Sequence, residues 1–492
     1  MDTKGLLILR DGDDVGVVTI SRPGVPRGHK IALRDIAAGA QVRKYGQSIG
    51  VAKSDIAAGD HVHTHNLAMD LAEREHELGG SHHEQPAPDG PRPTFRGYRR
   101  ANGRVGTRNY IGILTSVNCS ASTARMIAAQ FPQAALADYA NIDGVMALTH
   151  TSGCGLVSES EGAQVLARTL TGYAEHPNFA GILVLGLGCE MLSVNSLVEG
   201  LDLSPDTVIQ HLTIQESGGI RASVRAGVAA ISAMLDDVNA FEREDCDVSE
   251  LVLGLNCGGS DGYSGITANP ALGWASDLLV SYGARSVLAE TPEVFGAEHL
   301  LTRRAVSADV AQRLLDRIAW WKDYAAAGGG SLDNNPSPGN KAGGLTTILE
   351  KSLGAVAKSG QSDLAAVYEY AERIDTPGLG FMDTPGYDPV SVTGLIAGGA
   401  NVVCFTTGRG SVLGAKPTPS IKLATNSELY QRQHEDIDLN CGRIVDGTAT
   451  LEEVGREIFD LILRVAGGEQ SVSEDLDLGT DEFVPWQLGA VT

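Results

Sequence analysis

From Phe95 onward the chain alternates short apolar runs with amphipathic stretches, and no other feature constrains its fold as strongly. YIGILTSVNCSAS, GVMALTHTSGCG, GILVLGLGCEML, ELVLGLNCGGSDG, ARSVLAETPE and NVVCFTTGRGS are runs of this kind, most of them closing on Gly, Cys, Ser or Asn. Segments such as EGAQVLARTLTGYA and GIRASVRAGVAAISAMLDDV lie between them with helical periodicity. Strands buried on both faces read as continuous apolar runs, and the helices between them supply parallel crossovers. The pattern predicts an α/β region with mostly parallel sheets, in a first part over 96–240 and a second over 241–492. In open sheets of this kind, ligands bind beyond the carboxyl ends of the strands. That is where this chain concentrates its reactive side chains.

The amino-terminal part has a different rhythm. GLLILR, DVGVVTI, KIALRDI, AQVRKYG and SIGVAKS are short strand-like runs separated by Gly, Asp and Pro turns. They predict a small all-β domain over 1–72, followed by a Pro-, Gly- and His-rich linker over 73–95 in which His82 and His83 read as solvated residues. A formal charge of −23 would repel a phosphate backbone, and an aromatic content of 5% offers few stacking platforms, so no nucleic-acid partner is expected. No apolar run is long enough to span a membrane. Seven sparse cysteines and an amino terminus without a basic-then-apolar leader point to a reducing cytoplasm. Neither a P-loop nor a dinucleotide fingerprint is present, and no lysine lies between Lys53 and Lys322, so neither a nucleotide nor PLP is expected.

Several residues could do chemistry, each with a plainer alternative. Cys119, Cys154, Cys189 and Cys257 follow predicted strands beside glycines, spaced by 35, 35 and 68 residues. Those spacings match no compact zinc or ferredoxin pattern, which leaves convergence through the fold, burial as small apolar residues, or a lone nucleophile. GDHVHTHN places His61, His63 and His65 on one face of a strand, suited to a metal or an anion, or else to a solvated edge. His29 precedes another strand. Arg104, Arg108 and Arg409 are Gly-flanked carboxylate-binding candidates or ordinary salt-bridge partners. Glu290 and Glu293 in ETPE could serve as general base, metal ligand or helix cap. Lys341 and Lys422 add further cationic candidates.

With these residues in view, the chain resembles the altronate and galactarate dehydratase family over essentially its whole length. GHKIALRDIAAG and KYGQSIGVA resemble its SAF domain. GYRRANGRVGTRNY, SVNCSA, THTSGCG, GLGCE, NCGGSDGYSGITANPA, NPSPGNKAGGLTTILEKSLG, FTTGRGS and IKLATN resemble its catalytic region. HVHTHN and DEFVPWQLGA lean toward altronate, with galactarate dehydration or sulfolactate sulfo-lysis as alternatives and a non-catalytic sugar-acid binder as the remaining class. The resemblance implies metal-assisted β-elimination on a small anionic sugar acid, with Fe2+ expected and Mn2+ a substitute, and it is compatible with a homo-oligomer. On that reading His63, His65, Glu290 and Lys422 are the expected catalytic residues. Arg104, Arg108, Ser260, Asp261, Lys341 and Arg409 are expected to bind substrate. His29, His63 and His65 are the expected metal ligands, with Cys119, His150, Cys154, Cys189 and Cys257 as a thiolate or iron–sulfur alternative.

Overall fold

The structure, a computed structural model, describes residues 4–70, 76–80, 91–157 and 159–489. His82, His83 and most of the segment read as a linker lie outside the described residues.

The amino-terminal domain is antiparallel throughout. Leu6–Leu7, Val15–Val18, Lys30–Ala32 and His61–Val62 form one sheet, and Gln41–Lys44, Gln47–Ala52 and Leu67–Ala68 form a second. Tyr45 and Gly46, both at positive φ (62° and 73°), make the two-residue turn between paired Lys44 and Gln47. Such a turn matches the right-handed strand twist.

The alternating rhythm of the remainder produces two parallel sheets. The first has the order Gly144–Leu148, Tyr110–Thr115, Phe179–Gly186, Val208–Thr213, with crossover helices that include Ala121–Ala128, Glu161–Ala174 and Ile220–Asn239. The second has seven strands in the order Leu364–Tyr368, Gly378–Met382, Arg285–Leu288, Val252–Cys257, Val402–Thr407, Ser420–Ala424, Leu439–Asn440, all parallel. Val252–Cys257 and Val402–Thr407 are buried at every position, which explains their uninterrupted apolar sequence. In each sheet the chain starts near the centre and builds outward in both directions, so each contains a point where the strand order reverses. A small antiparallel sheet of Thr94–Arg99, Val105–Gly106 and Glu244–Asp247 lies at the seam between the two parallel regions. Among the described residues, no helix is long and apolar enough to cross a membrane.

The β-domain docks on the seven-stranded region. Val15, Val42, Ile49 and Ile56 share one core with Leu353 and Val356 of helix Ile348–Val356. Lys30 and Lys44, both fully buried, donate to opposite oxygens of Glu350 on that helix at 2.8 and 2.9 Å. The burial costs of these charges are offset because all three converge and Lys30 also donates to the Gly344 carbonyl. Gly262 admits the β-domain backbone. A Cβ there would lie 2.0 Å from the Gly28 carbonyl oxygen.

Candidate active site

A cavity of about 420 Å³ opens beyond the carboxyl ends of the central strands of the larger sheet. Cys257, Gly258 and Gly259 leave strand Val252–Cys257 to form part of its wall. Glu293 follows strand Arg285–Leu288, Asp388 follows Gly378–Met382, and Lys351 enters from helix Ile348–Val356. Asn335 and Asn340 cover the remaining side.

The charges beneath this cavity are interlocked. Lys358 Nζ donates to Cys257 Sγ at 2.8 Å and to Glu290 Oε2 at 3.1 Å, while Lys351 Nζ donates to Glu293 Oε1 at 2.5 Å and Asn335 Oδ1 at 2.9 Å. Burial, followed by the nearby Glu293 charge, lifts Glu290 far above the ordinary carboxylate range. Burial also pushes Glu293 upward, but Lys351 and Lys358 outweigh it and hold Glu293 below that range. Two neighbouring carboxyls are therefore driven in opposite directions, one toward the acid and one toward the anion. Asp388 is raised to about 6 by burial and then by Glu293. Burial pushes the Cys257 thiol up to about 12 despite Lys358, so at neutral pH it is a thiol. Glu290 also holds a left-handed backbone, with φ at 72°, a geometry that costs a non-glycine residue roughly 1–3 kcal/mol and concentrates at functional sites.

A second cluster comes from the β-domain. His29 Nδ1 and His61 Nε2 are 3.0 Å apart, and the His61 and His63 rings stack with centroids 5.3 Å apart. His29, His61 and His63 each bring a ring nitrogen within 4.8 Å of the others. His65 is not in this group. The strand ends at Val62, and Asn66 ties a turn by accepting from the His63 backbone N–H and donating its own to the His63 carbonyl. The two-residue alternation therefore does not reach His65, which is exposed with its ring 5.6 Å from that of His61. Burial lowers all three clustered histidines, His61 and His63 to about 4, with neighbouring cations adding to the effect. They are neutral at pH 7, the form that ligates metal. His63 Nδ1 is buried without a hydrogen-bond partner. An orphaned imidazole nitrogen among neutral histidines fits a divalent ion such as iron. Cys257, Glu290 and Glu293 also form a compact group, but Lys358 and Lys351 already neutralise it. Helix Pro338–Ala342 connects the two clusters, since Asn340 lines the cavity and the Ala342 carbonyl faces His29 Nε2 at 3.2 Å.

Other expected site residues are dispersed. Arg108 is locked by two bonds to Glu474, at 2.6 and 2.8 Å, and by the carbonyls of Thr107, Val465 and Glu469. Arg104 lies by a separate cavity at the amino ends of the larger sheet's strands, bonded to the Glu175 carbonyl. Lys422 sits inside strand Ser420–Ala424, where its ammonium reaches only the Ser411 carbonyl at 3.4 Å among the described bonds. Asp261 organises a loop, accepting from Tyr263, Ser264, Thr425 and Asn426, while the Ser260 carbonyl accepts from Asn340. Lys341 lies on the connecting helix, and Arg409 is exposed near Gly259 at the cavity wall. His150 has both ring nitrogens engaged, with the Thr115 carbonyl and the Ser152 N–H, so it has none left for a metal. Cys257 belongs to a different sheet from Cys119, Cys154 and Cys189, so the four thiols do not converge. The sequence reading saw His61 beside His63 and His65 but left it out of the expected ligand set, and it passed over Lys351, Lys358 and Asp388. The spacing in KSLGAVAK was a usable signal, because lysines seven apart in an apolar helical run share a face.

A parallel α/β region with paired carboxyls and lysines at its strand ends, capped by a β-domain bearing imidazoles, defines an enzyme built for proton transfer on an anionic substrate. Comparison with known proteins makes the class specific. Residues 8–70 match the altronate/galactarate dehydratase SAF domain. Residues 97–239 match the D-galactarate dehydratase/altronate hydrolase second domain, and 248–491 the D-galactarate/altronate dehydratase C-terminal region. The chain is 38% identical to the altronate dehydratase of Bacillus subtilis (strain 168), over 94% of this chain and 93% of that protein. It is 40% identical to the altronate dehydratase of Escherichia coli (strain K12), over 95% and 94% respectively. It is also 40% identical to the L-threo-forming galactarate dehydratase of the same organism, over 92% and 88%. The chain belongs to the altronate/galactarate dehydratase family and is a hydro-lyase.

Proposed function

We propose that the chain dehydrates a sugar acid, D-altronate, to 2-dehydro-3-deoxy-D-gluconate in the strand-end cavity. The opposed shifts of two carboxyls that line the cavity, Glu293 held toward the anion by Lys351 and Asp388 pushed toward the acid by burial, support this reading most directly, because β-elimination needs a base and an acid at one site. Lys351 and Asn335, which both line the cavity, would bind the substrate carboxylate. The ionised Glu293, exposed to the cavity, accepts the C2 proton at Oε2. Asp388, which lines the cavity, would donate a proton to the departing C3 hydroxyl, and Glu290 with Lys358 would set the charge beneath. His29, His61 and His63 would hold Fe2+, or Mn2+ in its place, and the bound ion would polarise substrate oxygens as a Lewis acid. The test is to give iron-loaded protein D-altronate, galactarate and (2R)-sulfolactate separately and to assay the 2-keto product. Turnover of altronate supports the proposal, and turnover of galactarate or sulfolactate alone overturns it.

A further inference from the structure

The four-stranded sheet presents a second arrangement of reactive groups that the dehydration site does not use. Its chain order places Tyr110–Thr115 between Gly144–Leu148 and Phe179–Gly186, so the strand order reverses between Tyr110–Thr115 and Phe179–Gly186. That crevice is where open α/β sheets bind ligands. One cysteine stands on the loop after each of these three neighbouring strands: Cys119, Cys154 and Cys189. All three are free and exposed, whereas Cys246, Cys257, Cys404 and Cys441 are buried. Free cysteine is among the most buried residue types. Core packing therefore does not account for three exposed thiols at one edge of one sheet.

The loops carrying them are tied together. The Asn118 backbone N–H donates to the Ser152 carbonyl at 2.9 Å, and its side chain donates to the His150 carbonyl at 2.9 Å. Ser116 Oγ donates to Glu190 Oε1 at 2.8 Å, fixing the residue next to Cys189. Gly153, next to Cys154, lies so close to this segment that a Cβ would come within 2.5 Å of the Ser116 carbonyl oxygen. The loops that carry the three cysteines thus meet at the segment 116–118. The three sulfurs are not all within 4.8 Å of one another, as the ligand atoms of the histidine group are. That spread is too wide for a single ion, and a cluster held through three different irons is the metal group that calls for thiols set further apart. Cys119 also precedes helix Ala121–Ala128, whose positive end favours an anionic group beside it.

We propose that Cys119, Cys154 and Cys189 hold a [4Fe–4S] cluster through three of its irons, leaving the fourth iron without a cysteine ligand. This site is separate from the histidine group and does not depend on the dehydration assignment. The test is anaerobic purification of the full chain, incubation with equal amounts of ferrous and ferric iron and inorganic sulfide, desalting, and measurement of iron, acid-labile sulfide and the visible spectrum. About four irons and four sulfides per chain with a broad visible band are expected beyond any iron at the histidines. The combined Cys119→Ser, Cys154→Ser, Cys189→Ser variant should lose all sulfide while melting like the cluster-free parent, and His63→Ala should keep its sulfide. Absence of bound sulfide in the parent, or full sulfide in the triple variant, overturns the proposal.

Discussion

Glu290 and Glu293 are three residues apart on one short 3-10 turn, yet their surroundings separate them. Glu290 lies buried under Lys358 with one oxygen unpartnered, while Glu293 faces the cavity beside Lys351. On this arrangement Glu293→Gln should lower kcat by roughly 10²–10⁴-fold, the usual range for loss of a general base, with a much smaller change in KM. Steady-state kinetics that show only a raised KM would reassign Glu293 to binding. The histidines give a prediction in pH. His61 and His63 titrate near 6.5 when unfolded and near 4 when folded, so between those values the unfolded chain binds more protons. Their contribution to stability is complete above about pH 6.5 and is lost as the pH falls toward 4. In metal-free protein, melting temperature should fall across that window, and less steeply in a His61→Asn, His63→Asn variant. Equal slopes would contradict the assignment.

Elements were the most legible level of the sequence. Val252–Cys257 and Val402–Thr407 announced themselves as apolar runs because burial on both faces removes any polar alternation. The site was legible only in part. Cys257, Glu290 and Glu293 could be found because strand ends attract them, whereas the grouping expected from His29, His63 and His65 differs from the one the structure brings together, His29, His61 and His63. Asn66 turns the chain after Val62, and the hydrogen bond its side-chain oxygen accepts from the His63 N–H is invisible to periodicity. Arg108 resembled a carboxylate binder because its partner, Glu474, lies far along the chain. Two variants test the elements that hold the β-domain. Glu350→Gln leaves Lys30 and Lys44 buried without a counter-charge and should cost about 3–5 kcal/mol in denaturant unfolding. Gly262→Ala forces a Cβ onto the Gly28 carbonyl and should loosen the same contact, seen as faster proteolysis of the β-domain. Unchanged proteolysis would show that the backbone gives way without cost.

At the scale of the whole molecule, a chain of net charge −23 buries five lysines among the described residues, and four of them, Lys30, Lys44, Lys351 and Lys358, lie on or against helix Ile348–Val356 or just beyond its end. Each is paired with a carboxylate, and of the four only Lys351 lines the cavity, where it offers a cation to an anionic substrate in an otherwise acidic molecule. The β-domain contributes its imidazoles where it docks, and the larger sheet contributes its carboxyls and amines. The account therefore stands on elimination across C2 and C3 of a sugar acid by the assembled chain. The most direct measurement is proton NMR of D-altronate with the iron-loaded protein in D2O. The account predicts loss of the C2 proton signal and growth of a 2-keto-3-deoxy product whose new C3 hydrogen is deuterium. An unchanged altronate spectrum, or a product that retains its C2 proton, would contradict it.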